Sequence, residues 1–165
     1  MRLFAAVRCP PAVEAALVRT MADLGREGRA AFTPRENLHL TLAFLGETDN
    51  LAGAVSALEQ SCTGGPFSVT LGGLGAFERL WWAGVLPAPR LEDLARRVQS
   101  ALRREGFALE DRPWTPHVTL ARRWQGPPPT ASVEETAWAV EAVSLLESLR
   151  GPEGPVYRER RRFPL

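Results

Sequence analysis

The order of apolar and polar positions divides the chain into short strands and a few helices. Residues 2–8 carry the unbroken apolar run Leu3-Phe4-Ala5-Ala6-Val7 between two arginines and read as a buried strand. Pro10-Pro11 opens a helical pattern, since proline suits a first turn. Val13, Ala16, Leu17, Met21 and Leu24 keep helix spacing, and Gly25 is the expected stop. Residues 38–45 alternate leucine with histidine and threonine, the period of a strand, up to Gly46. Residues 51–62 return to a helical pattern that Gly64-Gly65 stops. Residues 67–74 and 80–86 read as strands around a turn at 75–79. Gly72-Gly73-Leu74-Gly75 fits no phosphate-loop spacing and reads as turn chemistry. Pro87-Ala88-Pro89 marks the junction between two halves. After it, Leu91, Leu94, Val98, Ala101 and Leu102 form the apolar stripe of a helix over 90–105, ended by Gly106. Residues 117–124 read as a strand and 126–129 as a loop. Over 133–150 the Ala, Leu and Glu content favours helix, whereas the alternation around Trp138 suits a strand covered on both faces. Residues 156–165 read as an edge strand, with the arginine-rich run 158–162 as a solvated face.

One segment of this pattern occurs twice. His39-Leu40-Thr41-Leu42-Ala43 and His117-Val118-Thr119-Leu120-Ala121 lie nearly half a chain apart and hold the only 2 histidines. A scarce residue confined to a repeated motif points to a duplicated fold unit that supplies one imidazole from each half. Each half carries helices beside a small antiparallel sheet, so the class is α+β. Side chains alternate faces along a strand. His39 and Thr41 therefore share one face, and Leu40, Leu42 and Phe44 share the other; the second motif repeats this with His117 and Thr119. The leucine faces belong in the core, and the histidine faces line a cleft between the halves.

Composition narrows the setting. The chain has 165 residues, 45% hydrophobic and 24% charged, which suits one domain, residues 1–165, with an ample core. With a net charge of only +1, bulk charge does not announce a nucleic-acid binder. Every strong cation is an arginine, and lysine and isoleucine are absent, which fits a GC-rich coding bias. The surface is left with guanidinium forks, which grip phosphate bidentately. Cys9 and Cys62 show no framework spacing and are expected to be reduced and inert. No apolar run is long enough to span a bilayer, and the opening stretch is too short for a signal-peptide core, so a cytoplasmic protein is expected; separately, a monomer is expected.

Two imidazoles and two hydroxyls suit phosphodiester chemistry. A neutral imidazole takes a proton from attacking water, a protonated one gives a proton to the leaving oxygen, and Thr41 and Thr119 donate to the phosphate oxygens. A zinc site built from Cys9, Cys62, His39 and His117 matches no ligand spacing and would occupy the nitrogens that move protons, so no cofactor or metal is expected.

The paired motifs with their flanks, His39-Leu40-Thr41-Leu42-Ala43-Phe44-Leu45-Gly46 and Pro116-His117-Val118-Thr119-Leu120-Ala121-Arg122, resemble the two-histidine phosphoesterases. More narrowly they resemble the RNA 2′,3′-cyclic phosphodiesterases, formerly called 2′–5′ RNA ligases. Arg2-Leu3-Phe4-Ala5-Ala6-Val7, and Phe77 with Leu80-Trp81-Trp82-Ala83-Gly84-Val85, resemble that family's opening and mid-chain strands. The resemblance implies two pseudo-symmetric lobes, with two antiparallel sheets flanking a central cleft and helices outside. It implies RNA or oligonucleotide ends bearing 2′,3′-cyclic phosphate as substrate, and 2′-phosphate as product. It implies His39 as proton donor and His117 as proton acceptor, roles that the residues alone leave open. It also favours strand over helix for 138–146 and gives Arg122 a place at the phosphate. Strand parity turns Arg122 away from His117 unless a bulge or the strand end intervenes. Among the aromatics, Phe44, Trp81 and Trp82 read as core, and Trp114 is the candidate for stacking on a base. The rival readings are ligation at the same site, a non-enzymatic RNA-end binder, and a different cyclic nucleotide as substrate.

Overall fold

The computed structural model describes residues 1–165. In chain order the elements are β1 (Arg2–Arg8), α1 (Pro11–Glu27), β2 (Arg29–Phe32), β3 (His39–Glu47), α2 (Leu51–Ser61), β4 (Phe67–Phe77), β5 (Leu80–Val85), α3 (Pro89–Arg104), β6 (Val118–Gln125), β7 (Thr136–Val140), β8 (Ala142–Gly151) and β9 (Gly154–Pro164), with a single 3₁₀ turn, Arg35–Asn37, just before β3. They build an α+β fold with two antiparallel sheets, ordered β3-β1-β8-β9 and β2-β6-β5-β4-β7. No helix is long and apolar enough to cross a membrane.

The sheets do not coincide with the halves of the chain. β8 and β9 come from beyond the Pro87-Ala88-Pro89 junction, yet they complete the sheet that β1 and β3 begin. The helices cross over as well. α1 follows β1 but lies against β2, β6 and β7 of the other sheet. α3 follows β5 but packs with α2 and against β3, where Gln99 donates to the Leu42 carbonyl at 2.9 Å. Leu17, Leu24, Leu58, Leu94 and Leu102 of the helices meet Leu40, Leu42, Leu71, Leu120 and Trp138 of the sheets in one apolar cluster. Each such side chain removed from water stabilises the fold by about 1.5–3 kcal/mol. A second, small cluster of Phe4, Ala6 and Leu146 forms on the opposite face of the first sheet, with Tyr157 packed on it.

The choice left open over 133–150 falls to strand, as the resemblance favoured, with β7 and β8 and no helix, while several other expectations change. β8 lies between β1 and β9, and burial of Val143, Ser144, Leu145 and Leu146 on both faces overrides helix propensity. Gly72-Gly73-Leu74-Gly75 lies inside β4. Gly73, at φ 86°, sits in a bulge where Leu71 faces Val85 and Leu74 faces Ala83. The turn after β4 is Glu78-Arg79, with Glu78 at φ 54°. A Cβ on Gly75 would lie 2.3 Å from the Trp82 ring, so this strand position needs glycine for the indole to lie across it. β2 was not expected; its four residues carry too little pattern. The run 158–162 is an edge strand with partners: Arg158 and Arg160 reach the buried Glu147 at 2.6 and 3.1 Å, and Arg161 reaches Glu59 at 2.6 Å. Both cysteines are free and buried, and burial pushes the Cys62 thiol up to about 11.

Candidate active site

The two motif histidines are held in the same way. His39 opens β3, and His117 stands one residue before β6. The Nδ1 of each meets the backbone carbonyl two residues upstream, Asn37 at 2.6 Å and Thr115 at 2.7 Å. A carbonyl only accepts, so Nδ1 carries the hydrogen in both rings and Nε2 is left to gain or lose a proton. Asn37 is fixed in turn by donating its side-chain amide to the Pro155 carbonyl at 2.9 Å.

Aromatic rings stand beside each imidazole. Phe4 lies 5.0 Å from His39 and Tyr157 5.2 Å, the latter edge-on. Phe77 lies 5.2 Å from His117, edge-on, and Trp82 5.9 Å. Phe4, Tyr157 and Phe77 were missed in the sequence. Tyr157 is the only tyrosine of the chain, and that scarcity was the available signal.

The motifs also share a defect in strand pairing. On β1, Ala5 and Ala6 face Ala43 and Thr41, so Leu42 is skipped. On β5, Trp81 and Trp82 face Ala121 and Thr119, so Leu120 is skipped. Each bulge puts two consecutive residues into the core, Leu42 with Ala43 and Leu120 with Ala121, and reverses the parity of the positions beyond it. The next residue of each motif, Phe44 or Arg122, therefore returns to the histidine face. For Arg122 this is the bulge that parity required. For Phe44 it overturns the core assignment: the ring is 63% exposed and lies 6.1 Å from Phe4. Trp82 is likewise displaced from the expected core to the side of His117, while Trp81 packs against the core.

Crossed straps join the motifs. Thr33, upstream of the first motif, donates its hydroxyl to the Thr119 carbonyl at 2.8 Å, and its N–H to the Leu120 carbonyl at 3.0 Å. Trp114, upstream of the second, donates its indole N–H to the Thr41 carbonyl at 3.0 Å while its body packs against the core. The candidate base-stacking residue is thus engaged in holding the first motif strand.

The charges reflect how close the elements come. Burial holds the His39 imidazole below its ordinary range; its bond to Asn37 works the other way, and coulombic repulsion from Arg122, His117 and Arg8 adds to the lowering. Tyr157 is raised by burial, while Arg122 and Arg2 pull it down. Arg122, from the second sheet, therefore acts on His39 and Tyr157 of the first. Arg8 faces His39 across the β1–β3 pair, 3.7 Å from Glu159, which accepts from Ser144 at 2.6 Å. The fold brings His39 near His117 and Arg122, with Thr41 and Thr119 two residues along the same strands from the histidines. No group of three His, Cys, Asp or Glu side chains is placed to hold a metal ion.

This geometry has close parallels. A family model described as the 2′-5′ RNA ligase superfamily matches residues 9–152. An RNA 2′,3′-cyclic phosphodiesterase of Geobacillus stearothermophilus is 38% identical over 74% of this chain, although the match spans only 40% of that relative. One of the same name from Thermus thermophilus is 34% identical over 100% of this chain and 90% of its own length. The crystal structure of E. coli LigT complexed with 3′-AMP superposes with a TM-score of 0.85 at 29% identity, covering 99% of this chain and 97% of that one.

Proposed function

Because the chain belongs to the 2′-5′ RNA ligase superfamily, we propose that it is an RNA 2′,3′-cyclic phosphodiesterase, converting cyclic phosphate ends of RNA or oligonucleotides to 2′-phosphates. The observation that carries this is the matched anchoring of His39 and His117, each with Nδ1 tied back and Nε2 free, beside Arg122. Arg122, Thr41 and Thr119 bind the non-bridging oxygens. Water attacks phosphorus as His117 Nε2 takes its proton, and the bond from phosphorus to the 3′-oxygen breaks as His39 Nε2 supplies a proton to that oxygen. The product is a 2′-phosphate beside a free 3′-hydroxyl. Each proton transfer contributes roughly 10² to 10⁴ in rate, and fixed donors at the phosphate add a comparable factor. The two imidazoles move the protons through Nε2 and ask for no metal ligand set. We take the protein to work as a cytoplasmic monomer.

The test is an oligoribonucleotide ending in 2′,3′-cyclic phosphate, incubated with the protein in the presence of a chelator. The expected product is the 2′-phosphomonoester, with turnover unchanged by chelation. A 3′-phosphate product would reverse the regiochemistry. Binding without turnover would make the protein an RNA-end binder, and joining to an added 5′-hydroxyl strand would make it a ligase.

A further inference from the structure

We propose that the far end of β6, where Arg29, Arg79 and Arg123 gather beyond Arg122, is a second phosphate-binding site that grips the RNA strand upstream of its cyclic end; this rests on the cyclic-phosphate reading above. Strand pairing assembles it. Between Arg29 facing Gln125 and Ala31 facing Arg122, β6 carries one residue more than β2. This bulge turns only Trp124 into the core and leaves Arg122, Arg123 and Gln125 exposed, with Arg29 exposed across the pair. On the other side, the turn after β4 brings in Arg79. Its Nε donates to the Trp124 carbonyl at 3.1 Å, and its carbonyl accepts the Trp124 N–H at 2.9 Å. The side-chain tie uses Nε alone, so the two terminal nitrogens of Arg79 stay available.

Three observations point to a polyanion. First, the charge is not neutralised. None of Arg29, Arg79, Arg122 and Arg123 pairs with a carboxylate. The run Arg158, Arg160 and Arg161 on β9 comes from the same arginine-rich composition, yet Glu147 and Glu59 meet it. Of the carboxylates nearest in the chain, Glu27 is engaged by Thr130 and Ala131, and Glu78 makes no ion pair. Second, Arg123 adopts φ 55°, a conformation that glycine takes freely and a long side chain rarely does. The position holds a guanidinium where the backbone suits glycine, and such outliers gather at working sites. Third, the strip continues the catalytic site. It starts at Arg122, which opposes charge on His39, and at about 3.4 Å per residue it runs about 10 Å further to Gln125. Around His39 the first sheet presents Phe4, Phe44 and Tyr157, and its Arg8 is met by Glu159. The run of free cations adjoining the reacting phosphate is therefore the one along β6, and its guanidinium forks match the phosphates of a single strand.

The experiment compares adenosine 2′,3′-cyclic phosphate with a hexaadenylate ending in the same cyclic phosphate. It uses the wild-type protein, Arg29→Ala, Arg123→Gly, the double variant, and Arg104→Ala, an equal charge change on α3. Wild type is expected to favour the hexamer in kcat/KM. The double variant should lose about tenfold of that preference, chiefly through KM, while turnover of the mononucleotide is kept. Affinity for the hexamer ending in 2′-phosphate should fall with salt. In a plot of log affinity against log salt, each single variant should flatten the slope by about 0.7, the share of one phosphate contact. Arg104→Ala should match wild type. Because glycine suits φ 55°, Arg123→Gly should melt no lower than wild type, which separates its loss from one of folding. A hexamer preferred no more than the mononucleotide, a slope unchanged in the variants, or an equal loss in Arg104→Ala overturns the inference while the cyclic-phosphate reading stands. So does a loss that falls equally on both substrates, which would put these arginines at the reacting phosphate. A wild-type protein that cleaves neither compound overturns that reading and takes the inference with it.

Discussion

An imidazole that is to give up a proton must first hold one, and His39 is set against this by burial and by Arg122, His117 and Arg8. In the proposed mechanism a phosphate anion arriving beside Arg122 and Arg8 offsets their charge, so that substrate itself would charge the acid. The His39 resonance should therefore titrate at higher pH when the product 2′-phosphate is bound than in the free protein, measurable by NMR. A value unmoved by the nucleotide would contradict its role as donor. The same lowering affects folding. With a folded value below the ordinary 6.5, the unfolded chain holds the His39 proton more tightly, so stability falls as pH drops from about 6.5 toward the folded value and is unaffected above that window. His39→Gln should flatten this part of a stability-against-pH curve. In turnover, His39→Ala and His117→Ala should each remove most of the activity, with the double variant little worse, because the pair acts as one unit. Thr41→Val and Thr119→Val should each lower kcat by roughly 10 to 10³, in line with losing one transition-state donor, with the shape of the pH profile preserved.

At the scale of elements, the motif strands depend on their straps and bulges. Trp114→Phe keeps an aromatic ring and removes the N–H that reaches the Thr41 carbonyl, and Thr33→Val removes the hydroxyl that reaches Thr119. Each should cost about 0.5–1.5 kcal/mol in denaturant unfolding, the net worth of one hydrogen bond, and should reduce kcat more than it raises KM. A Trp114→Phe protein that turned over normally but bound RNA ends poorly would return Trp114 to the role of base platform. What the sequence made legible divides at these same elements. Period-two alternation placed Leu40, Leu42, Val118 and Leu120 in the core because it holds as long as pairing is regular. It failed one residue past each bulge. A bulge is set by how two distant strands fit together, and nothing local in Leu42 announces it, so Phe44 was assigned to the wrong face. Arg122 escaped that error because the resemblance gave it a place at the phosphate, which strand parity allows only with a bulge or a strand end. Helix propensity misread 133–150 for a related reason: the partners that make β8 a strand, β1 and β9, lie outside any local window.

At the scale of the molecule, the repeat visible in the histidine motifs is a repeat of site geometry, and the sheets are assembled from both halves. Cutting the chain within the 87–89 junction should give two fragments that are each unfolded by circular dichroism and regain structure when mixed, because β1 and β3 would be parted from β8 and β9. A first fragment that folded alone would contradict the dependence of that sheet on strands from both sides of the cut. The pairing of Leu3 with Glu147 has a further consequence during biosynthesis. On the ribosome, β1 is made more than a hundred residues ahead of its neighbour β8. At roughly 5–20 residues per second, the apolar stretch Leu3-Phe4-Ala5-Ala6-Val7 has to wait many seconds with only β3 available beside it. During translation the nascent chain therefore presents an open, hydrophobic strand edge for as long as the intervening residues take to be made, which makes that stretch a natural point of contact for a holding chaperone.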